Sequence, residues 1–213
     1  DVCSSDLIFA KLSGMDAHPR GRFAPSPTGP LHFGNLRTAL VSWLQAREQG
    51  GEWFVRMEDL DRVTASAEHE QVQLDALATL GLVSDLPVLR QSDRFDLYRD
   101  AVATLGAQGR VYECFCTRRE IREASSAPHG ELPDGAYPGT CRSLASADRA
   151  RFEREGRRPA LRLRSEGERF VVPDLVMGDV PGGVDDVVLQ RNDGVPAYNL
   201  AVVVDDAAQR SEE

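Results

Sequence analysis

Three residues in the first quarter of the chain have the types and spacing needed to bind phosphate. His32, Gly34 and Asn35 follow a turn rich in proline and glycine, and apolar residues recur at helical spacing after them. They should occupy the first turn of a helix, where unpaired backbone N–H groups and the helix dipole favour negative charge. Gly34 removes a side chain where a nucleotide could lie flat. The segment therefore predicts a nucleotide site.

A second group of charged residues lies at 56–61, with the sequence Arg-Met-Glu-Asp-Leu-Asp. Carboxylates at the end of a strand that faces a nucleotide crevice are well placed to hold an ammonium group. A guanidinium binds a carboxylate through two hydrogen bonds, and neither charge is stable when it is buried alone. The alternative is that this run forms only surface ion pairs.

Three cysteines, Cys114, Cys116 and Cys141, flank a loop rich in proline and glycine at 127–139. Cysteine thiolates are common ligands of Zn²⁺, and a bound metal ion would order a loop of this composition. The C-x-C spacing is less diagnostic than paired C-x-x-C, so buried thiols are the alternative. Ligand chemistry alone would choose His129 as the fourth ligand, because imidazole is a commoner zinc ligand than phenolate.

Composition narrows the class of protein. The chain has 213 residues, of which 41% are hydrophobic, so it can bury a substantial core. The longest apolar run, 200–204, is far too short to cross a bilayer, and we expect a cytoplasmic protein that does not enter a membrane. The net charge of -9 argues against a general nucleic-acid-binding surface. Lys11 is the only lysine, so a P-loop is excluded and ATP must be held in another way.

A local basic patch is nevertheless present between residues 142 and 164, where arginines outnumber acids. Two interpretations have equal weight: contact with an RNA backbone, or an ion-paired helix face followed by a strand. The arginines are Arg142, Arg149, Arg151, Arg154, Arg157, Arg158, Arg162 and Arg164.

The elements that must position these residues alternate between strands and helices. We predict strands at 22–25, 53–57 and 111–113, and helices at 33–49, at 67–80 and after an N-cap at Ser92. This order implies an α/β fold with a parallel sheet and crossover helices. Ligands of such sheets bind beyond the carboxyl ends of the strands, where His32 and Glu58 both fall.

The segment 21–35, GRFAPSPTGPLHFGN, resembles the first signature of class I aminoacyl-tRNA synthetases, and its first half narrows the resemblance to the glutamyl branch. The tetrapeptide 32–35 is a variant of the His-x-Gly-His element, and 56–61 resembles the R-x-E-D-x-D element of the branch. The resemblance runs from about residue 20 to residue 209 in the right motif order. It implies a Rossmann-like parallel sheet with an inserted zinc-binding subdomain that meets the acceptor end of the RNA.

By this resemblance, Arg22 would bind the side-chain carboxylate of L-glutamate, Glu58 its α-amino group, and Tyr198 would also contact it. The other predicted glutamate-site residues are Phe23, Ala24, Pro25 and Ser26. The catalytic pair would be His32 and Asn35, which with Gly34 form the nucleotide site for ATP and its Mg²⁺. A core aromatic role with a paired hydroxyl is the alternative for Tyr198.

The resemblance also bears on the metal. Glutamyl-type synthetases often carry zinc at this point, and their glutamyl-queuosine branch uses three cysteines and a tyrosine. The implied ligands are Cys114, Cys116, Tyr137 and Cys141, with His129 in reserve. The site would be structural, since it implies no open position and no catalytic base.

The implied domain organisation has four parts: a tail at 1–14 outside the fold, the first half of the catalytic fold at 15–110, the inserted subdomain at 111–190, and the start of the second half at 191–213. A second class I signature, similar to Lys-Met-Ser-Lys-Ser, does not occur in this sequence. We therefore expect these residues alone to be inactive.

Within the glutamyl branch, two kinds of enzyme are known. Glutamyl-queuosine enzymes activate glutamate without RNA and place it on queuosine in the anticodon loop of tRNA(Asp), whereas full glutamyl synthetases require their tRNA and charge its 3′ end. The first kind is favoured by the sequence at 32–36, the spacing of Tyr137 and Cys141, and the variant at 199–201. We expect it to act as a monomer. The alternatives are a catalytic fragment of a full synthetase and a non-catalytic relative that binds glutamate, nucleotide or RNA.

Overall fold

A computed structural model describes residues 19–125, 137–174 and 176–209. They group into two compact units, one of residues 19–91 with 209 and one of residues 92–208. The first unit contains β1 (Arg20–Phe23), α1 (Phe33–Glu48), β2 (Glu52–Met57), α2 (Ala67–Thr79) and β3 (Leu89–Arg90). A 3₁₀ turn (Gln91–Arg94) leads into α3 (Phe95–Ala107), β4 (Val111–Cys114), α4 (Arg118–Ser125), α5 (Ser146–Arg154), β5 (Ala160–Leu163), β6 (Arg169–Asp174), β7 (Gly178–Gly183), β8 (Val188–Gln190) and α6 (Tyr198–Gln209).

The first unit is built on a parallel sheet with the strand order β1-β2-β3. Helix α1 connects the first two strands and α2 connects the second and third, which is the crossover arrangement that the alternating pattern predicts. The predicted α/β fold and the predicted strands and helices of this half of the chain are confirmed to within a few residues.

One face of this sheet carries the apolar core. Side chains alternate between the two faces of a strand, so Trp53, Val55 and Met57 share one face of β2. The buried cluster on this face consists of Phe23, Ala39, Ala46, Trp53, Val55, Met57, Leu77 and Leu82. The opposite face of the same strands is therefore left for other residues.

Helix α1 packs through small residues. Ala39 and Ala46 are buried, whereas Leu40, Val41 and Leu44 are exposed by 44%, 57% and 51%. The apolar spacing thus predicts the helix correctly, but its fully buried contacts come from alanines, with the half-buried Leu36 and Trp43 packed beside them. Small residues allow the helix to approach β1 closely.

Gly21 is required by this close approach. A Cβ atom at this position would lie 2.8 Å from Ala46 Cβ and 2.9 Å from the Ser42 carbonyl oxygen. We expect Gly21→Ala to lower the free energy of unfolding by about 1–3 kcal/mol, since α1 would have to move away from the sheet. Urea unfolding measures this change. Gly106→Ala is the matched control: it lies in α3 with nothing within 4 Å of its Cβ position, and it should stabilise the protein.

The second unit has an antiparallel sheet, β4-β5-β8, and a separate hairpin, β6-β7. The predicted strand at 111–113 exists, but it does not join the parallel sheet: Val111 pairs with Leu163 and Cys114 with Ala160 in antiparallel register. The expectation failed because strand order along the chain does not specify the partner, and β5 lies far from β4 in sequence. The domain boundaries stay a prediction.

The N-cap expected at Ser92 is wrong. Helix α3 begins at Phe95 after Arg94, which makes no side-chain capping bond, and Ser92 lies in the 3₁₀ turn before it. Such a turn can replace a side-chain cap at a helix start. On this helix Tyr98 is buried, and Val102 and Leu105 are half-buried.

The apolar run at 200–204 forms part of α6, with Leu200 and Ala201 buried and Val203 exposed. None of the helices in the described part of the chain combines the length and hydropathy that a bilayer-crossing segment requires.

The arginines of the basic patch are largely engaged within the protein. Arg142 pairs with Asp186, Arg151 with Asp148 and Arg157 with Glu120. They surround α5, which is followed by strand β5, so the structure favours the ion-paired interpretation over a free RNA-binding surface.

Candidate functional site

The predicted substrate residues of the first unit gather at the carboxyl ends of β1 and β2. The Glu58 N–H, directly after β2, donates to the Pro25 carbonyl oxygen at 2.9 Å, which holds the two strand ends side by side. This is the edge at which parallel α/β sheets bind ligands.

The sheet face opposite the apolar core carries charges. Arg22 lies beside Phe54 in the strand register, and alternation places Arg56 and Glu58 on this same face. The side chains are nearly inaccessible, with exposed fractions of 8% for Arg22, 0% for Arg56 and 9% for Glu58. The surface-ion-pair alternative is therefore wrong for Arg56 and Glu58.

Arg56 stabilises this face through contacts with Glu58 and Gln209. Its Nη2 lies 3.2 Å from Glu58 Oε1, and its Nη1 donates to Gln209 Oε1 at 2.8 Å. The guanidinium thus orients the Glu58 carboxylate. Charged groups buried at this depth require partners, so the arrangement is typical of a binding surface.

Helix α1 begins with a reciprocal cap. His32 is the N-cap, and its Nδ1 accepts from the Gly34 N–H at 3.0 Å, while Asn35 Oδ1 accepts from the His32 N–H at 3.2 Å. A Cβ on Gly34 would lie 2.9 Å from His32 Cε1, so the glycine makes room for the ring. The pattern follows the capping box, with His and Asn in place of Ser and Glu.

The cap determines which hydrogen-bond donors are presented. Since Nδ1 of His32 accepts a hydrogen bond, the neutral ring carries its proton on Nε2. Since Oδ1 of Asn35 is also an acceptor in the cap, its amide NH₂ is the group that can serve a ligand. His32 is exposed and Asn35 half-buried. Both donors are suited to phosphate, as the sequence predicts.

The residues between β1 and α1 differ in accessibility. Phe23 packs into the apolar core, so only its main chain lies near the charged face. Pro25 is buried, Ala24 half-buried and Ser26 exposed. Ser26 is therefore the most accessible of the predicted glutamate-site residues in this segment.

Tyr198 is the first residue of α6 and lies in the second unit. Its side chain is 61% exposed, so the core-aromatic alternative is wrong. Its predicted contact with glutamate stays a prediction.

The structure brings Cys114, Cys116, Tyr137 and Cys141 together. The three sulfur atoms lie within 4.8 Å of one another, with Cys116 and Cys141 Sγ 3.4 Å apart. Tyr137 Oη lies 3.3 Å from Cys114 Sγ and 3.5 Å from Cys116 Sγ. Ligands at tetrahedral zinc, with Zn–S near 2.3 Å, lie about 3.8 Å apart, so this donor set fits a structural zinc ion. His129 lies outside the described residues.

The titration behaviour of the thiols reflects their proximity. Hydrogen bonds from Cys116 and Cys141 lower the pKa of Cys114, whereas the Cys116 thiol, which donates to that sulfur, has a raised pKa. Burial raises the pKa of Tyr137. These opposite pKa shifts follow from hydrogen bonding between neighbouring thiols.

A second layer of residues holds this cluster. The Tyr137 N–H donates to Asp185 Oδ2 at 3.0 Å, and the Arg162 guanidinium lies 3.8 Å from the centre of the Tyr137 ring. Arg142, next to Cys141, donates to Asp186 through Nε at 2.6 Å and Nη2 at 2.8 Å. Metal sites characteristically depend on such supporting contacts.

Sequence reasoning missed two supporting residues. It treated Arg56 as a possible surface residue, although its position two residues before Glu58 in a strand places both on one face. It also gave Asp186 no role, because an acidic pair in a glycine-containing stretch resembles an exposed loop. No local signal indicates that this carboxylate is buried.

In the first unit, a strand of a parallel sheet leads through a proline-rich turn into a capped helix, and charged residues lie at the strand ends. This arrangement is typical of α/β nucleotide-binding proteins. Comparison with known proteins makes the class more specific. The chain belongs to the family described as tRNA synthetases class I (E and Q), catalytic domain, whose model matches residues 19–210. The predicted family is thus confirmed.

Individual relatives agree with this family. The chain is 57% identical over 189 residues to the glutamyl-Q tRNA(Asp) synthetase of Nocardia farcinica, covering 89% of this chain and 60% of that protein. It is 44% identical over 202 residues to the glutamate–tRNA ligase of Heliobacterium modesticaldum, covering 88% of this chain and 40% of that protein. The chain thus spans less than two thirds of the length of either relative.

A solved structure supports the fold. The glutamate tRNA ligase of Elizabethkingia meningosepticum, crystallised in complex with its amino acid, matches with a TM-score of 0.74 and 30% identity. The match covers 92% of this chain and 43% of the ligase. The chain therefore has the class I catalytic fold of that ligase over nearly all of its length.

Proposed function

We propose that the chain belongs to an enzyme that activates L-glutamate with ATP and transfers it to queuosine in tRNA(Asp). The observation that carries this proposal is the charged sheet face with Arg22 and Glu58 beside the capped start of α1. Glutamate and ATP both bear charges that this edge complements.

The charges match those of glutamate. The Arg22 guanidinium would bind the side-chain carboxylate through two hydrogen bonds, and the Glu58 carboxylate, oriented by Arg56, would bind the α-ammonium group. Ser26 and Ala24 would line the entrance. Because Arg22 and Glu58 are held on strand ends, little reorganisation is needed when the substrate binds.

The same edge would support the activation step. An α-carboxylate oxygen of glutamate attacks the α-phosphorus of ATP, the bond to the β-phosphate oxygen breaks, and glutamyl-adenylate and pyrophosphate form. Mg²⁺ bound with ATP would neutralise charge on the phosphates. His32 Nε2–H and the Asn35 amide would donate hydrogen bonds as negative charge builds, which lowers the barrier by positioning and electrostatics.

In the second step, a nucleic-acid hydroxyl attacks the glutamyl carbonyl and AMP leaves. The identity to the Nocardia protein favours a queuosine hydroxyl of tRNA(Asp) as the acceptor. The alternative acceptor is the 3′-terminal ribose of a tRNA, which the similarity to the Heliobacterium ligase favours. We propose the first, in the cytoplasm and as a monomer.

We further propose that Zn²⁺ is bound by Cys114, Cys116, Cys141 and Tyr137. Its role would be structural: it would connect the end of β4 with the segment that begins at Tyr137. The chain's own residues hold these ligands in place, through Asp185 and Arg162.

Binding measurements test the proposed substrate. The chain should bind glutamate, or a non-reactive sulfamoyl analogue of glutamyl-adenylate, in isothermal titration. Glu58→Gln should weaken that affinity about 10–100-fold, because a charge-assisted hydrogen bond contributes about 1.5–3 kcal/mol. Glu68→Gln, at an exposed position in α2, is the matched control. Equal weakening of ATP binding by Glu58→Gln would assign Glu58 to the fold instead.

Pyrophosphate exchange distinguishes the two acceptors. On the protein from the complete reading frame, glutamate-dependent exchange of pyrophosphate into ATP without tRNA would support the queuosine enzyme. Exchange that requires tRNA would support a glutamate–tRNA ligase, and no exchange under either condition would contradict both.

His32 can be tested separately for capping and for catalysis. We expect His32→Asn to keep the stability of the protein, because asparagine is a strong N-cap, but to lose most of the exchange activity with the Nε2–H donor. His32→Ala should lose the activity and also about 1 kcal/mol of stability. Thermal unfolding and exchange rates measure the two effects. Full activity in His32→Asn would show that the residue serves only as a cap.

A further inference from the structure

Gln73 is a polar residue at a core position of α2. Its side chain is 2% exposed, and it shares the buried face of the helix with Glu70 and Leu77. An apolar residue would be expected at such a position. The polar group therefore needs an explanation from its contacts.

The turn before α1 is short of its own hydrogen-bond donors. Residues 25–30 include three prolines, so only Ser26, Thr28 and Gly29 carry an N–H group. Donors from other segments satisfy its carbonyl groups: Glu58 N–H bonds to Pro25 O at 2.9 Å, and Ser66 N–H bonds to Pro27 O at 3.0 Å.

Within the turn, the Thr28 N–H donates to Ser26 O at 2.8 Å. Gln73 adds two further hydrogen bonds to the carbonyl groups of the turn. Its Nε2 donates to Ser26 O at 3.0 Å and to Gly29 O at 2.6 Å, so one amide group joins the two ends of the turn. Its Oε1 is buried and has no hydrogen-bond partner in the described part of the chain. Leaving a buried acceptor unsatisfied is unfavourable, so the two donor bonds, and not general packing, account for the residue type.

We propose that Gln73 is the positioning residue that orders the turn Ser26–Gly29 and thereby shapes the glutamate pocket. The part that concerns glutamate rests on the proposed function. Ser26 lies at one end of the turn, and His32 follows three residues after Gly29. A turn fixed in advance loses less entropy when the substrate binds.

The test uses three variants of the chain. Gln73→Met keeps the volume and flexibility of the side chain but removes both donors, and Gln73→Asn keeps the amide on a shorter side chain that cannot reach both carbonyls. Gln71→Met is the matched control, since Gln71 is exposed on the same helix and bonds only locally, to Asp75 at 2.8 Å.

Amide hydrogen exchange at Thr28, whose N–H donates to Ser26 O inside the turn, is the main measurement. We expect Gln73→Met to raise exchange at this amide about thirtyfold over Gln71→Met, since both hydrogen bonds from the Gln73 amide to the turn are lost. Gln73→Asn should give an intermediate increase. Exchange within α2 should not change. If Gln73 only stabilised the fold, exchange within α2 would rise as well.

The outcomes separate this inference from the proposed function. Equal turn exchange in Gln73→Met and Gln71→Met would overturn it, and so would an increase spread equally over the whole first unit. If Gln73→Met does not fold, the comparison of Gln73→Asn with Gln71→Met decides in the same way. Increased turn exchange with about tenfold weaker glutamate binding supports the inference in full. Increased turn exchange in a protein whose wild type binds no glutamate supports the ordering role and contradicts the proposed function alone.

Discussion

Cys141→Ser is expected to abolish zinc binding by the chain and to lower its melting temperature to that of the chelator-treated wild type. Cys141 Sγ lies 3.4 Å from Cys116 Sγ, and the residue is 4% exposed, so its loss removes a ligand from the centre of the cluster. Structural zinc sites contribute about 10–16 kcal/mol of apparent binding energy in small domains. We expect the affinity for zinc to fall at least about a thousandfold, or ~4 kcal/mol.

The measurement combines metal content, by mass spectrometry of the purified protein, with thermal unfolding before and after chelation. Cys3→Ser is the matched control, because Cys3 is the one cysteine of the sequence that is not among the proposed zinc ligands. The wild type should contain one zinc ion and the control should too. A wild type without zinc, whose melting temperature does not respond to a chelator, would contradict the proposed site and leave a cluster of buried thiols.

The fourth ligand can be identified with two further variants. Tyr137→Phe removes only the hydroxyl and keeps the ring under the Arg162 guanidinium, so weaker zinc binding would follow from the lost ligand and not from lost packing. His129→Ala tests the reserve candidate. We expect Tyr137→Phe to weaken zinc binding and His129→Ala to leave it unchanged. The reverse result would assign the position to His129.

The parts of the fold that the sequence predicts are those with local causes. The turn 25–30 and the cap at His32 define the start of α1, and the run 53–57 defines a buried strand, because prolines, caps and apolar runs act through neighbouring residues. The partner of β4 could not be predicted, since antiparallel pairing with β5 joins residues that are far apart in the chain.

Burial was the other source of error. The apolar side chains of α1 at positions 40, 41 and 44 are exposed, and the polar Gln73 is buried. In both cases the hydrophobicity of the residue predicts the wrong burial. In α1, close packing against Gly21 selects small residues. In α2, the proline-rich turn requires a hydrogen-bond donor, which Gln73 supplies. The site residues were identified through motif resemblance, whereas Arg56 and Asp186, which support them, depend on contacts that only the folded chain shows.

Asp186→Ala is expected to destabilise the second unit strongly. The carboxylate is 4% exposed and accepts hydrogen bonds from Tyr112 Oη at 2.6 Å, from Arg142 and from the Ser165 N–H at 3.0 Å. Removing it leaves a guanidinium, a hydroxyl and an amide without their acceptor. Breaking a buried ion pair costs about 3–5 kcal/mol, which corresponds to a decrease in melting temperature of about 6–20 °C.

Two variants make this result interpretable. Asp186→Asn keeps the shape and one acceptor oxygen and should lose less stability than Asp186→Ala. Asp179→Ala, at an exposed position of β7, is the control and should change stability by less than about 0.5 kcal/mol. Urea unfolding followed by circular dichroism measures all three. A loss of the same size in Asp179→Ala and Asp186→Ala would contradict the special role of Asp186.

The dependence on pH provides an independent check of the charge. Burial on its own would raise the pKa of Asp186, but the hydrogen bonds from Arg142, Tyr112 and the Ser165 amide outweigh it, so the pKa lies below its ordinary value of 3.8. A group with a lower pKa in the folded state stabilises the fold above its unfolded pKa and loses this effect as the pH falls through the folded pKa. The stability advantage of the wild type over Asp186→Asn should therefore be constant from neutral pH to about pH 5 and decrease below about pH 4. An advantage that instead grows as the pH falls would mean that the carboxyl group is protonated in the folded protein, and that the Arg142 guanidinium is held by shape and not by charge.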